Sequence, residues 1–410
     1  MESLAPINAA TEPPRPTDTA PIRAYTTANC VSAIGNWMQK TAMGWLAWDL
    51  THSAAWVGAL ALMDLIALLW VAPLAGTVTD RRSPYRMFIT TQCLLLVNAM
   101  GLCLLDASGF LNIGLLLAFA LIESTLSGFN NPVRMTAISL LAVEGGTSKA
   151  IAMNSVSVAT ARSVGPAVAG ALLASGGAAV VFAVNSLSYL AMIFVLRRLR
   201  TFIDHPPHGE PRPLLAAITG GFAYAVRMPD IATALVLALV FGVLARPALE
   251  LLPAFAGGVF HGGPRTLGLL LTFQSIGALA GAIFMMRRNG SKPLRPLMFA
   301  TGLSLPVFII AFCATRDLWI ALPAMAATGV AHVVCNICMQ STIIQQADPA
   351  YRGRVLSIFS LLFRTGPAAG AFLIGVAAPY LGLRTLIAGA AAVAVVLMWG
   401  LSRRRAASQA

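Results

Sequence analysis

The chain has 410 residues, of which 58% are hydrophobic and only 10% charged, with a formal net charge of +13. A soluble domain carries roughly 25% charged residues, so these figures exclude a soluble fold. Apolar runs of about twenty residues recur between short basic or Pro/Gly loops, which is the length a helix needs to cross a ~30 Å hydrocarbon core. No stretch alternates as the ~10-residue strands of a membrane β-barrel would, which excludes that class as well.

Residues 1–24 are polar and proline-rich and read as a disordered cytoplasmic tail. Twelve spans are predicted at roughly 25–48, 53–78, 86–106, 110–130, 150–174, 178–197, 231–256, 264–287, 296–315, 318–344, 353–379 and 383–402. The first begins near Tyr25, is too long for a signal-peptide core and is followed by no small-residue cleavage site, so it stays as a span. The stretch Leu199 to Arg212 is the longest polar interruption, and residues 214–228 after it, moderately apolar, read as a cytoplasmic surface helix carrying Tyr224 and Arg227; together 199–230 form a central cytoplasmic loop and surface helix. It divides an N-terminal six-helix half, 25–198, from a C-terminal one, 231–402, with 403–410 as a second cytoplasmic tail.

An even number of spans puts both termini on one side. With that side cytoplasmic, its loops hold most of the basic residues, among them Arg81, Arg82, Arg86, Arg134, Lys149, Arg197, Arg198, Arg287, Arg288 and Arg403 to Arg405. The opposite face holds only Arg265, Arg316 and Arg384. Insertion favours basic loops on the cytoplasmic face, so the positive charge calls for a lipid bilayer as partner and for no nucleic acid. All six cysteines lie inside apolar spans, so no disulfide framework is implied. Cys335 and Cys338 have CxxC spacing, yet they sit mid-span without a second ligand pair and read as small packing residues, with no metal site.

The halves repeat. Ala161, Arg162, Gly165, Pro166 and Gly170 in the fifth span have an echo in Phe363, Arg364, Gly366, Pro367 and Gly370 in the eleventh, about 200 residues on. Such a 6+6 duplication usually means alternating access around a central site. The polar residues within spans fall on stripes at helical spacing. The first span aligns Asn29, Ser32, Asn36 and Lys40, with Gln39 beside them; the fourth aligns Glu123, Ser127 and Asn131, leading to Arg134; the tenth aligns His332, Asn336 and Gln340. Arg246 and Glu250 in the seventh are four apart, a spacing that allows an ion pair. The second span adds Asp64, the fifth Arg162, the eighth Gln274 and the eleventh Arg364. Mid-span ionisable groups are costly and face protein or a water-filled cavity, so these residues are the candidate pathway. Asp49, Asp106 and Asp317 lie at span ends, where solvation explains them. Desolvation favours the protonated form of a carboxyl, which makes Asp64 and Glu123 the proton-coupling candidates, with Lys40 or Arg162 as counter-charge. Gly165 with Gly170, Gly277 with Gly281, and Gly366 with Gly370 give small faces along which helix backbones can approach.

Gly76, Asp80, Arg81 and Arg86, between spans two and three, resemble the G-x-x-x-D-R-x-x-x-x-R loop signature of the major facilitator superfamily. Ser83, Pro84 and Tyr85 depart from its usual glycine and basic residues. The segments around Gly35, Trp45, Asn131, Asn154, Asn185, Pro253 and Arg352 are similar to the enterobactin-exporter-like branch of that superfamily. Gly165, Pro166 and Gly170 also resemble part of its fifth-helix antiporter signature. The resemblance implies an all-α membrane protein, a major facilitator fold of twelve transmembrane helices in two pseudo-symmetric halves. It implies a monomer in the bacterial inner membrane that exports a siderophore- or drug-like small molecule, driven by the proton gradient and using no cofactor. In this reading Asp80 latches one conformer near Arg352 and Arg354, and Gly165 and Pro166 belong to the moving gate. Importers and lipid flippases share the architecture. An intramembrane enzyme would need a nucleophile–base pair or a metal cluster at depth, and His332 stands without either.

Overall fold

The computed structural model describes residues 18–79, 83–143, 145–204, 222–288 and 293–407, and among these all regular structure is helical. The first four helices are α1 (Ala20–Asp49), α2 (Ala54–Thr79), α3 (Pro84–Ala107) and α4 (Ile113–Leu141). The helical stretch Thr147–Arg198 turns back at Gly177, whose φ of 75° only glycine adopts freely, and so forms α5 (147–176) and α6 (178–198). The C-terminal half holds α8 (Pro264–Arg287), α9 (Leu294–Ala314), α10 (Leu318–Gln346), α11 (Pro349–Leu381) and α12 (Leu383–Ala407). Before them α7 starts as Pro229–Val240 and continues through a π turn at Phe241–Ala245, short helical pieces around Pro247 and Pro253, and a second π turn at Phe255–Val259.

Ten described helices are long and apolar enough to cross a membrane. The continuous Thr147–Arg198 counts once among them and makes two passes, and α1, more polar because of its stripe, completes twelve. Leu69, Val97, Leu104, Leu187, Phe194 and Leu373 point outward and form part of the lipid-facing surface.

Three spans differ from expectation. The fourth runs to Leu141, well past 130, because a helix ends where its hydrogen bonds end and not where lipid does. The first starts at Ala20, with Pro21 in its first turn, where a missing N–H costs nothing. The seventh is segmented, because Pro247 and Pro253 supply no N–H and the ladder is rejoined by i→i+5 bonds. Of the expected surface helix over 214–228, residues 222–227 are helical and 214–221 lie outside the described residues. Beyond the membrane, Ser83 caps α3 by accepting from the Arg86 N–H at 3.4 Å and donates to Asp204 at 2.5 Å, joining the start of α3 to the end of α6. That hydrogen bond, with Arg200 beside it, holds the Asp204 carboxyl below the usual carboxylate range.

The expected small faces are where helices meet. A Cβ on Gly281 would lie 2.9 Å from the Val330 carbonyl, one on Gly165 would lie 3.0 Å from the Ile34 carbonyl, and Gly366 faces Gly242. Among the described residues, the glycine contacts that join the two halves are of the same kind and lie at one end. A Cβ on Gly58 would lie 2.6 Å from the Ala371 carbonyl, one on Gly375 would touch Ala54, and one on Gly170 would lie 2.6 Å from Gly268 Cα. The Trp48 ring at the end of α1 lies against Gly257 and Gly258 at the end of α7. These contacts all sit away from the end that carries the termini, while Asp64, Arg162 and Arg364 stay exposed at mid-bundle. The space between the halves therefore opens toward the termini. Gly258→Val is expected to wedge the closed end apart by pushing on the Trp48 ring. In a background freed of native cysteines, a cysteine at Gly44, which packs on Pro253, should then react several-fold faster with an impermeant maleimide; an unchanged rate would show that Trp48 does not seal this end.

Candidate functional site

The stripe on α1 brings Gln39 and Lys40 to the middle of the bundle, where two networks start. In the first, Ser188 Oγ donates to Asn185 Oδ1 at 2.9 Å, Asn185 Nδ2 donates to Gln39 Oε1 at 2.7 Å, and Gln39 Nε2 donates to Glu123 Oε2 at 2.9 Å. Glu123 is fully buried, and its Oε1 has no hydrogen-bond partner among the described residues. The hydroxyl of Tyr189, buried next to Asn185, lies within electrostatic reach of it. In the second, Lys40 Nζ donates to both oxygens of Asp64, at 2.9 and 3.2 Å, and Ser124 Oγ donates to the same carboxylate. The Lys40 and Asp64 side chains are 34% and 53% accessible although both are mid-helix and bonded across α1, α2 and α4, so they face an aqueous cavity.

The facing half contributes cations and rings. Arg246 Nη1 donates to the Phe363 carbonyl at 2.7 Å, and its guanidinium lies 4.5 Å above the Phe363 ring. That carbonyl is free because Pro367, four residues on, has no N–H to donate to it. Arg246 is 3.9 Å from Glu250, so the expected pair exists but is loose, and the carbonyl of α11 is the closer partner. His332 meets Phe241 and Phe363 edge-on, each at 5.7 Å, and its Nδ1 has no hydrogen-bond partner among the described residues. Phe359, Phe363 and Phe241 stack behind it. Arg162 lies 5.0 Å over the Trp37 ring. Electrostatics tie the halves into one cluster, since Glu250 is within reach of Lys40, Asp64 and Arg162, and Arg364 within reach of Asp64.

Lys40, Asp64, Glu123, Arg162, Arg246, Glu250, His332 and Arg364 thus lie within electrostatic reach of one another in one cluster, with Gln39 bonded to Glu123 beside Lys40. Other candidates stand apart. Asn336 and Gln340 bond each other at 2.5 Å along α10. Gln274 presses its backbone carbonyl against Gly329, and Asn36 leaves its Oδ1 buried without a hydrogen-bond partner among the described residues. Among the gate residues, Gly165 and Pro166 are buried, with Gly165 against α1 of the same half. Gly76 lies in the last turns of α2, Arg86 is exposed in the first turn of α3, and Asp80 and Arg81 lie outside the described residues. Arg354 stacks on Tyr351 at 5.4 Å, and Arg352 donates to the Ala347 carbonyl at 3.5 Å. Cys335 and Cys338 are buried, and Cys335 Sγ lies 3.7 Å from the Met298 carbonyl. No group of three or more metal-ligating side chains occurs among the described residues.

Several contributors were not among the sequence candidates, including Ser124, Asn185, Trp37 and Phe363. Asn185 carried a signal, as an amide within an apolar run, while the aromatic pair is distinguished only by lying under arginines from other helices.

The family model described as transmembrane secretion effector matches residues 15–409. The chain is 25% identical over 257 residues to the staphyloferrin A transporter of Staphylococcus aureus (strain NCTC 8325 / PS 47), a match spanning 62% of this chain and 63% of that protein. It is 24% identical over 333 residues to the enterobactin exporter EntS of Shigella flexneri, covering 80% and 77%. Among solved structures, the nucleoside transporter NupG superposes with a TM-score of 0.71 at 13% identity, covering 94% of this chain and 98% of that one. A bacterial homologue of the iron transporter ferroportin in an inward-facing state gives 0.69 at 15%, covering 93% and 98%. At these identities the structural likeness establishes the fold alone.

Proposed function

From the premise that the chain belongs to the transmembrane secretion effector family, and is a multi-span membrane transporter of the major facilitator type, we propose that it exports a siderophore- or drug-like small molecule across the bacterial inner membrane by proton antiport. The supporting observation is Glu123, a buried carboxyl with one oxygen fixed by a neutral amide and the other without a hydrogen-bond partner among the described residues. Burying an ionised carboxylate without a cation at hydrogen-bond distance is costly, and a proton on Oε1 removes that charge. Lys40 stands one residue from the amide that holds it and is committed to Asp64. When Glu123 loses its proton, Lys40 becomes the nearest cation able to answer it, at the expense of Asp64. Proton loading thereby changes which helices α1 is tied to, α4 or α2. Such a change between two discrete ion-pair arrangements can bias the bundle between its two access states.

With both termini cytoplasmic, the open cavity of this conformer faces the cytoplasm and receives the substrate there. The test uses proteoliposomes loaded with a pH-sensitive dye and a panel of siderophores and cationic drugs. Substrate-dependent proton movement opposite to substrate flux is the expected result. Flux without proton movement would remove antiport and leave facilitated diffusion or another coupling ion.

A further inference from the structure

What the cavity selects for can be read from its charges, taking the transport reading above as the basis. Arg162 on α5 and Arg364 on α11 each lie about one turn ahead of the Gly-Pro pair that marks the internal repeat. They therefore face the cavity from corresponding places on opposite halves. Both are exposed, and neither has a carboxylate within salt-bridge distance among the described residues. Arg162 lies over the Trp37 ring at 5.0 Å with Glu250 within electrostatic reach, and among the described residues neither Arg162 nor Arg364 makes a hydrogen bond. The two guanidiniums lie within electrostatic reach of each other, and Arg134 on α4, bonded to Asn131, lies within reach of Arg364.

The carboxylates present are already engaged. Asp64 accepts from Lys40 with both oxygens and from Ser124, Glu123 is turned away on Gln39, and Glu250 is shared among Arg246, Lys40 and Arg162. Five cations, Lys40, Arg134, Arg162, Arg246 and Arg364, stand against the three carboxylates Asp64, Glu123 and Glu250, an excess of two positive charges. A proton on Glu123 raises the excess to three. An uncompensated charge cluster in a membrane interior calls for a counter-ion, and a guanidinium presents its donors in a fork that matches a carboxylate.

We infer that Arg162 and Arg364 form a two-sided clamp for a dicarboxylate-bearing substrate, and that this anion permits the end carrying the termini to close. A monoanion answers one guanidinium and leaves the other facing it; only a substrate with two anionic groups bridges the halves. Without it, like charges across the cavity favour the open arrangement, because their repulsion falls with distance. Arg162 and Arg364 are in this sense the specificity-determining pair, and closure is conditional on cargo.

The full-length protein in lipid nanodiscs tests this with straight-chain dicarboxylates from malonate to adipate and with butyrate as the monoanion. Spin labels on cysteines at Lys149 and Gly353, both exposed near the open end on opposite halves, report closure once the native cysteines are replaced. One dicarboxylate is expected to bind at least about tenfold more tightly than butyrate and to shorten the label distance, and R162Q or R364Q should each remove about that tenfold. The double variant R162Q/R364Q should shorten the distance with no ligand present. Should the glutamine variants fail to fold, R162K/R364K keeps both charges; it should keep the long empty distance and lose part of the affinity, because the fork is gone. Dicarboxylates binding no better than butyrate to the wild type, or binding that survives all of these variants, would overturn the clamp. Proton-coupled flux of a neutral or cationic drug with no dicarboxylate binding overturns the clamp and leaves the transport reading standing. Dicarboxylate-driven closure without proton movement upholds the clamp and removes antiport.

Discussion

Glu123→Gln is expected to reduce substrate-driven proton movement to background while leaving substrate binding within about threefold of wild type. Glutamine has the shape of the protonated carboxyl, keeps an oxygen for the Gln39 amide at the position now 2.9 Å away, and cannot lose a proton. The carrier would then exchange substrate for substrate but not substrate for protons. Asp64→Asn should behave differently. Its partner Lys40 would keep its charge with no carboxylate at bonding distance, and the amide would both reduce attraction and face the ammonium with a competing donor. Net transport and exchange should both fall, by more than about tenfold, since an interaction with a charged group is worth about 1.5–3 kcal/mol. Counterflow and proton flux measured side by side separate the two outcomes. Proton movement that persists in Glu123→Gln, and disappears with exchange intact in Asp64→Asn, would transfer the role from Glu123 to Asp64.

Gly329→Val is expected to prevent α8 and α10 from meeting. A Cβ at this position would fall on the Gln274 carbonyl oxygen and lie 2.8 Å from the Ala278 nitrogen, both of them backbone atoms with no rotamer to change. The contact is reciprocal, since a Cβ on Gly277 would fall on the Ala326 carbonyl. Overpacking costs about 1–3 kcal/mol where side chains can yield, and here the two backbones themselves must separate. The variant should lose the monodisperse peak in detergent or melt well below wild type. Gly302→Ala supplies the contrast, because the nearest atoms to its Cβ would be the Met398 and Cys335 sulfurs at 3.7 and 3.8 Å. That change should lie within about 0.5 kcal/mol of wild type. Equal losses at the two positions would mean that glycine acts there through backbone freedom and not through close approach.

Much of this architecture is written in one dimension. Runs of about twenty apolar residues have to be helices, because lipid offers no partner for an unsatisfied N–H or C=O. The duplication around Arg162 and Arg364, and the small faces at Gly277 and Gly366, were legible for the same reason: in lipid, close approach needs small residues at helical spacing. Polar stripes were legible because a charge in hydrocarbon has to face inward, which marked Lys40 and Glu123, and the lone Asp64 of the second span, as candidates before any contact was known.

Other features depend on distance between residues far apart in the chain, and spacing carries no such information. That Gln39 serves Glu123 while its neighbour Lys40 serves Asp64 follows from how α1 is rotated against α2 and α4. That Arg246 prefers the Phe363 carbonyl to Glu250, its neighbour one turn away, follows from a proline on α11 that frees that carbonyl. That Gln274 faces a packing seam follows from Gly329 opposite it. Solvent sets which residues lie inside, a rule each residue obeys separately and the sequence therefore records. Partnership among the residues inside is set by the rotation and crossing of whole helices, and those exist only once the bundle has formed.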